Sequence, residues 1–132
     1  MNVQFLHADP AALQQCRRDL EKAGIISKVF SSVVASVFAL AFRGPAVAAV
    51  ISSYPISGMR CEDFLQLCNN VAPGVPVILW VETEETEPAK LAELSGVYAV
   101  LQGPPTPENL IPVLMRVMTM RPIHRLDSLH MI

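Results

Sequence analysis

Short apolar runs and amphipathic stretches alternate along the chain. VQFLH (residues 3–7) is an apolar run suited to a strand, and Asp9-Pro10 after it supplies an N-cap and a favoured first helical residue. Leu13, Cys16 and Leu20 follow at helical spacing, and Gly24 suits the position just past a helix end. IISKVF (25–30) predicts a second strand, and Ser31 or Ser32 caps a helix running to about Phe42. AVAAVIS (46–52) is continuously apolar, as in a strand buried on both faces. A turn-rich loop over 54–59 leads to a helix over 62–70 with Phe64, Leu65 and Cys68 on one side. Pro73-Gly74 stops that helix, and VPVILWV (75–81) is the clearest central strand. Residues 84–94 predict an acidic-fronted helix ended by Gly96, and 97–101 a fifth strand. Thr106-Pro107-Glu108 opens a last helix to about Arg121, which Pro112 is expected to bend.

Five strand-then-helix units predict an α/β fold with a five-stranded parallel sheet. Parallel strands need crossovers, and right-handed crossovers place helices on both faces. The domain is expected over residues 1–121, with a tail at 122–132. Ile123, Leu126, Leu129 and Ile132 give that tail one apolar helical face.

A chain of 132 residues suffices for one domain with a real core. It is 52% hydrophobic and 17% charged, which excludes wholesale disorder and raises the question of a membrane. The most apolar stretch, residues 29–42, is shorter than the roughly 20 residues of a spanning helix, and Arg43-Gly44-Pro45 interrupts it. No basic segment opens the chain as in a signal peptide, so a cytoplasmic protein away from membranes is expected. A net charge of −2 argues against a basic nucleic-acid surface. Cys16, Cys61 and Cys68 are odd in number and lack CxxC spacing, so reduced, mostly buried thiols are expected, and no metal.

In an open parallel sheet, chemistry collects where the strands end. Those ends carry His7-Ala8-Asp9, Ser52-Ser53-Tyr54, Val81-Glu82-Thr83 and Gln102-Gly103-Pro104. No glycine fingerprint follows the first strand, which argues against a dinucleotide. FLHADPAALQQCRRDLEKAG, SGMRCEDFLQLC, APGVPVILWV and GVYAVLQGPPTPENLIPVL, in this order and spacing, resemble the receiver domain of bacterial response regulators. The resemblance covers nearly all of residues 1–121 and implies a flavodoxin-like (CheY-like) (βα)5 fold. It also implies aspartyl phosphorylation, using an acidic pair for Mg²⁺, an acceptor Asp, a switch hydroxyl and a Lys. At those positions this sequence has His7 and Ala8, Ser53, Val81 and Gly103. No Asp or Glu lies between Glu21 and Glu62, and no Lys follows Lys90, so shifting the alignment restores neither acceptor nor lysine. Asp9 matches the capping position before the proline. Mg²⁺ and a phosphoryl group are therefore not expected, and the resemblance is to a degenerate pseudo-receiver. Ser53 as a nucleophile would need His7 as its base, and a filled, inert pocket is the simpler expectation.

A protein with such a crevice has its surface left for function. By the family pattern Ser36, Val37, Leu40 and Ala41 face the sheet, which puts Val34, Phe38 and Phe42 on the outer stripe of their helix. They form either an interface or, on a helix turned the other way, core. Met115, Met118 and Met120 give the last helix either adaptable core filler or an interface, with Met115 and Met118 the interface candidates. The acidic run Glu82, Glu84, Glu85 and Glu87 reads as a solvated helix start, and Trp80 as core. The expectation is a non-enzymatic signalling module of two-component or phosphorelay type, without a cofactor. It would act through a protein partner or as a homodimer, with no DNA-binding output following in this sequence. The alternative is a flavodoxin-like small-ligand binder using the crevice at Ala8, Ser53 and Gly103.

Overall fold

The computed structural model describes residues 1–82 and 87–120. The strands are β1 (Asn2–Leu6), β2 (Ile26–Phe30), β3 (Val47–Tyr54), β4 (Val77–Val81) and β5 (Val97–Gln102). The helices are α1 (Gln14–Lys22), α2 (Val33–Arg43), α3 (Cys61–Val71), α4 (Pro88–Ala92) and α5 (Pro107–Met120). All strand pairs are parallel, in the order β2-β1-β3-β4-β5.

The local signals act as their chemistry dictates. Asp9 accepts a hydrogen bond from the Ala11 amide at 3.2 Å and opens a short 3-10 turn, Pro10–Leu13, ahead of α1. Ser32 caps α2 through the Ala35 amide at 3.1 Å. At α5 the Thr106 hydroxyl accepts from the Asn109 amide at 3.3 Å, and the Asn109 side chain accepts from the Thr106 amide at 2.8 Å. That reciprocal pair is a capping box with Asn in place of the usual Glu or Gln. α5 continues as helix through Pro112. Gly44 ends α2 where a Cβ would lie 3.0 Å from the Ala72 Cβ, so the small residue lets α2 approach the end of α3.

Two apolar layers sandwich the sheet. Val3, Phe5, Ala49, Ile51, Ile78 and Trp80 meet α1 and α5 on one face. Leu6, Val50, Val77, Leu79 and Val81 meet α2, α3 and Leu91 of α4 on the other. Every residue of β4 is buried, as its unbroken apolar sequence requires. The edge strands are wetter: Ile26 and Lys28 of β2 are exposed, and β5 is mostly half-buried.

Two expectations change. The fourth helix starts at Pro88, because Glu87 is extended (φ −85°, ψ 112°) and the proline takes the first helical position. Glu84 and Glu85 lie outside the described residues, as do the tail and the side chain of Met120. Ala41 is exposed and does not face the sheet, since the buried stripe of α2 runs through Ser36 and Leu40 into Gly44. Among the described residues no helix is long and apolar enough to cross a membrane.

The three thiols are buried and unpaired. Burial pushes Cys61 up to about 11 and Cys68 up to about 12, with the neighbouring Glu62 and Cys61 respectively adding to it. The fold holds these thiols neutral while the unfolded chain ionises them near 9. Their contribution to stability is therefore complete below about pH 9 and lost as the pH rises toward the folded values. Denaturant melts should show unfolding free energy falling above pH 9, by up to ~1.4 kcal/mol per pH unit for each thiol. The slope should shrink in Cys68→Ala, and an identical slope in that variant would contradict this assignment.

Candidate functional site

The order β2-β1-β3-β4-β5 reverses direction between β1 and β3, which makes the carboxyl ends of those strands the switch-point crevice. His7 leaves the end of β1 and Ser53 stands near the end of β3, beside Trp80 in the β3–β4 register. The chain brings three of the five positions together. His7, Ala8 and Ser53 line a hollow of about 230 Å³ with Tyr54, Pro55, Ile56 and Glu82. Val81 is not in it, because its side chain is fully buried in the layer under α3 and α4. Gly103 is joined to Val81 only through its backbone amide, which donates to the Val81 carbonyl at 2.6 Å.

A chain of side-chain contacts runs through the wall of the hollow. His7 Nδ1 and Ser53 Oγ are hydrogen-bonded at 3.2 Å. The His7 ring sits 5.3 Å from the Trp80 ring, tilted by 51°. Trp80 Nε1 donates to Glu82 Oε1 at 3.0 Å, which satisfies the one polar atom of a buried indole. The Ser52 hydroxyl turns back to the Ser53 carbonyl at 3.0 Å. Asp9 is spent on its cap. Glu82 was legible only as a member of the acidic run. Its part as the indole's partner depends on where β4 ends, which composition does not reveal.

This arrangement is poor in the groups that phosphoryl chemistry uses. A hard cation needs several oxygen ligands, and among the described residues no three His, Cys, Asp or Glu side chains are grouped to hold a metal. The Ser53–His7 pair has the first contact of a nucleophile and base. Among the described residues no carboxylate is hydrogen-bonded to His7 to orient its ring.

The outer surface of α2 is unusual for a soluble helix. Val34, Phe38 and Phe42 are 77%, 64% and 76% exposed, and the two phenyl rings pack on each other at 5.1 Å. Met115 on α5 is also exposed, whereas Met118 is half-buried.

Trp80 is the chain's one tryptophan, so its emission reports on this crevice. Glu82→Leu should shift that emission and cost about 1–3 kcal/mol, the usual penalty for leaving a buried donor without its acceptor. Glu82→Gln, which keeps an acceptor oxygen, should change both much less. Equal effects from the two variants would remove the indole–carboxylate bond from the account.

No family model matches the chain, and no curated protein does. Many solved structures are similar to it in fold. One is a response regulator receiver domain protein from Clostridium thermocellum, with a TM-score of 0.82 and 18% identity over 92% of this chain and 97% of that one. Another is a CheY-like response regulator receiver domain protein from Methanospirillum hungatei, with a TM-score of 0.76 and 15% identity over 93% and 97% of the two chains. A structure described as an adenylate cyclase from Rhodopirellula baltica also matches, with a TM-score of 0.78 and 12% identity over 97% and 95%. At these identities the likeness establishes the architecture: the chain has the flavodoxin-like (βα)5 fold that response regulator receiver domains share.

Proposed function

We propose that the chain is a receiver-like module of a two-component or phosphorelay type system that signals through protein contact, without aspartyl phosphorylation and without catalysis. The observation that carries this reading is the crevice itself. Where a receiver would hold its acceptor carboxylate, this chain holds Ser53 bonded to His7, with the Trp80 ring tilted against His7 and Val81 sealed in the core. The apolar stripe Val34–Phe38–Phe42 offers the alternative means of signalling, with a second copy of the chain as its simplest occupant. Met115 adds an exposed apolar residue on α5. The rival small-ligand reading is weakened by the size of the hollow. At about 230 Å³ it falls below the roughly 300–1,000 Å³ typical of ligand pockets, and His7 and Tyr54 line it.

Two experiments divide these readings. Ser53→Asp, incubated with Mg²⁺ and a small phosphodonor, should take up no phosphoryl group, because one carboxylate restores neither the cation site nor the lysine. Stoichiometric phosphorylation of that variant would show that Asp9 and Glu82 can complete a cation site, and phosphorylation of the native chain under the same conditions would defeat the proposal. In sedimentation velocity the native chain should associate with increasing concentration. Phe38→Glu should stay folded and monomeric. A native chain that is monomeric throughout, with Phe38→Glu identical to it, would exclude self-association through α2.

A further inference from the structure

Gln4 sits in the middle of β1, 2% exposed, and neither its Nε2 nor its Oε1 has a hydrogen-bond partner. An amide buried this way is costly, because it loses both its donor and acceptor bonds to water. The buried Ser27 and Ser52 hydroxyls and the Trp80 indole each have a partner. Gln4 lines a hollow of about 310 Å³ at the end of the sheet opposite the switch-point crevice, together with Asn2, Ile26, Lys28, Arg43 and Ala46.

The strand register explains the grouping. Gln4 pairs with Lys28 and Asn2 with Ile26 across β1 and β2, so all four side chains project on the α2 face of the sheet. Arg43 comes from the last turn of α2. Lys28 and Arg43 have no carboxylate partner among the described residues, and the lining contains no Asp or Glu. Arg43 also offsets the negative end of its helix, which leaves Lys28 as the freer cation.

From this juxtaposition of an orphaned amide and two unpaired cations we infer a binding site for a small anion that carries a hydrogen-bond donor beside its negative oxygens. The oxygens would meet Lys28 and Arg43, and a turn of the Gln4 side chain, whose amide is buried at rest, would bring its N–H groups to them. The donor would meet Gln4 Oε1. Hydrogen phosphate, a phosphate monoester or a hydroxy acid has this chemistry; sulfate has the charge without the donor. The site is separate from the crevice at His7 and Ser53 and does not depend on the signalling proposal.

The test is an amide-resolved NMR titration of the full chain with inorganic phosphate, malate and sulfate in separate arms. Phosphate or malate should shift the Gln4 side-chain amide and the backbone amides of Lys28 and Arg43 in a saturable way. Which of the two binds more tightly distinguishes a phosphate-type from a hydroxy-acid ligand. Sulfate should bind about tenfold more weakly, a difference on the order of one hydrogen bond to a charged group. Lys28→Met, an exposed position that leaves the fold intact, should weaken binding about tenfold. Gln4→Leu should abolish it while raising the melting temperature, because the orphaned amide is gone. A Gln4 side-chain amide unmoved by every anion would leave only water in the hollow and overturn the inference. So would sulfate matching phosphate with no effect of Lys28→Met, the mark of general charge screening.

Discussion

The whole molecule depends on a parallel sheet that must be covered on both faces. Its central strands are covered on both faces, so β4 is apolar at every position and β3 over residues 47–51. Each crossover returns the chain to the same end of the sheet, and this places all strand carboxyl ends together. The order β2-β1-β3-β4-β5 then opens a crevice between β1 and β3 whatever residues line it. The crevice is a consequence of covering the sheet; its chemistry is a separate property of a few side chains.

Here those side chains serve packing. His7, Ser53, Trp80 and Glu82 form one connected set through the His7–Ser53 bond, the His7–Trp80 ring contact and the Trp80–Glu82 bond. Such a set holds the ends of β1, β3 and β4 in register without an ion. Two other surfaces stand out. They are the apolar outer stripe of α2 and the polar hollow beneath Gln4.

Much of this was legible in the sequence because the physical signals are local. Asp9, Ser32 and Thr106 announce helix starts by the bonds that they then make. The outward turn of Val34, Phe38 and Phe42 came instead from the resemblance to receiver domains, and the burial of Ser36 and Leu40 agrees with it. Ala41 was misplaced because it lies beside that stripe, where a small rotation changes its exposure. The start of α4 was placed too early, since a run of Glu favours a helix start as much as Pro88 does. The Glu82–Trp80 bond and the isolation of Gln4 depend on where a strand ends and which strand lies beside it. Within VQFLH, Gln4 reads only as a polar residue in a strand. Its neighbour Lys28 comes from the next strand, through a register that local periodicity does not set.

The central claim is that this receiver-fold chain has no phosphoryl switch at its carboxyl-end crevice. The most direct measurement is an NMR titration of the native chain with beryllium fluoride and Mg²⁺, which together mimic an acyl phosphate. The account predicts that the amides of Ser53, Val81 and Gly103 keep their positions at saturating reagent. Saturable, Mg²⁺-dependent shifts centred on Ser53 and spreading to Val81 and Gly103 would contradict it.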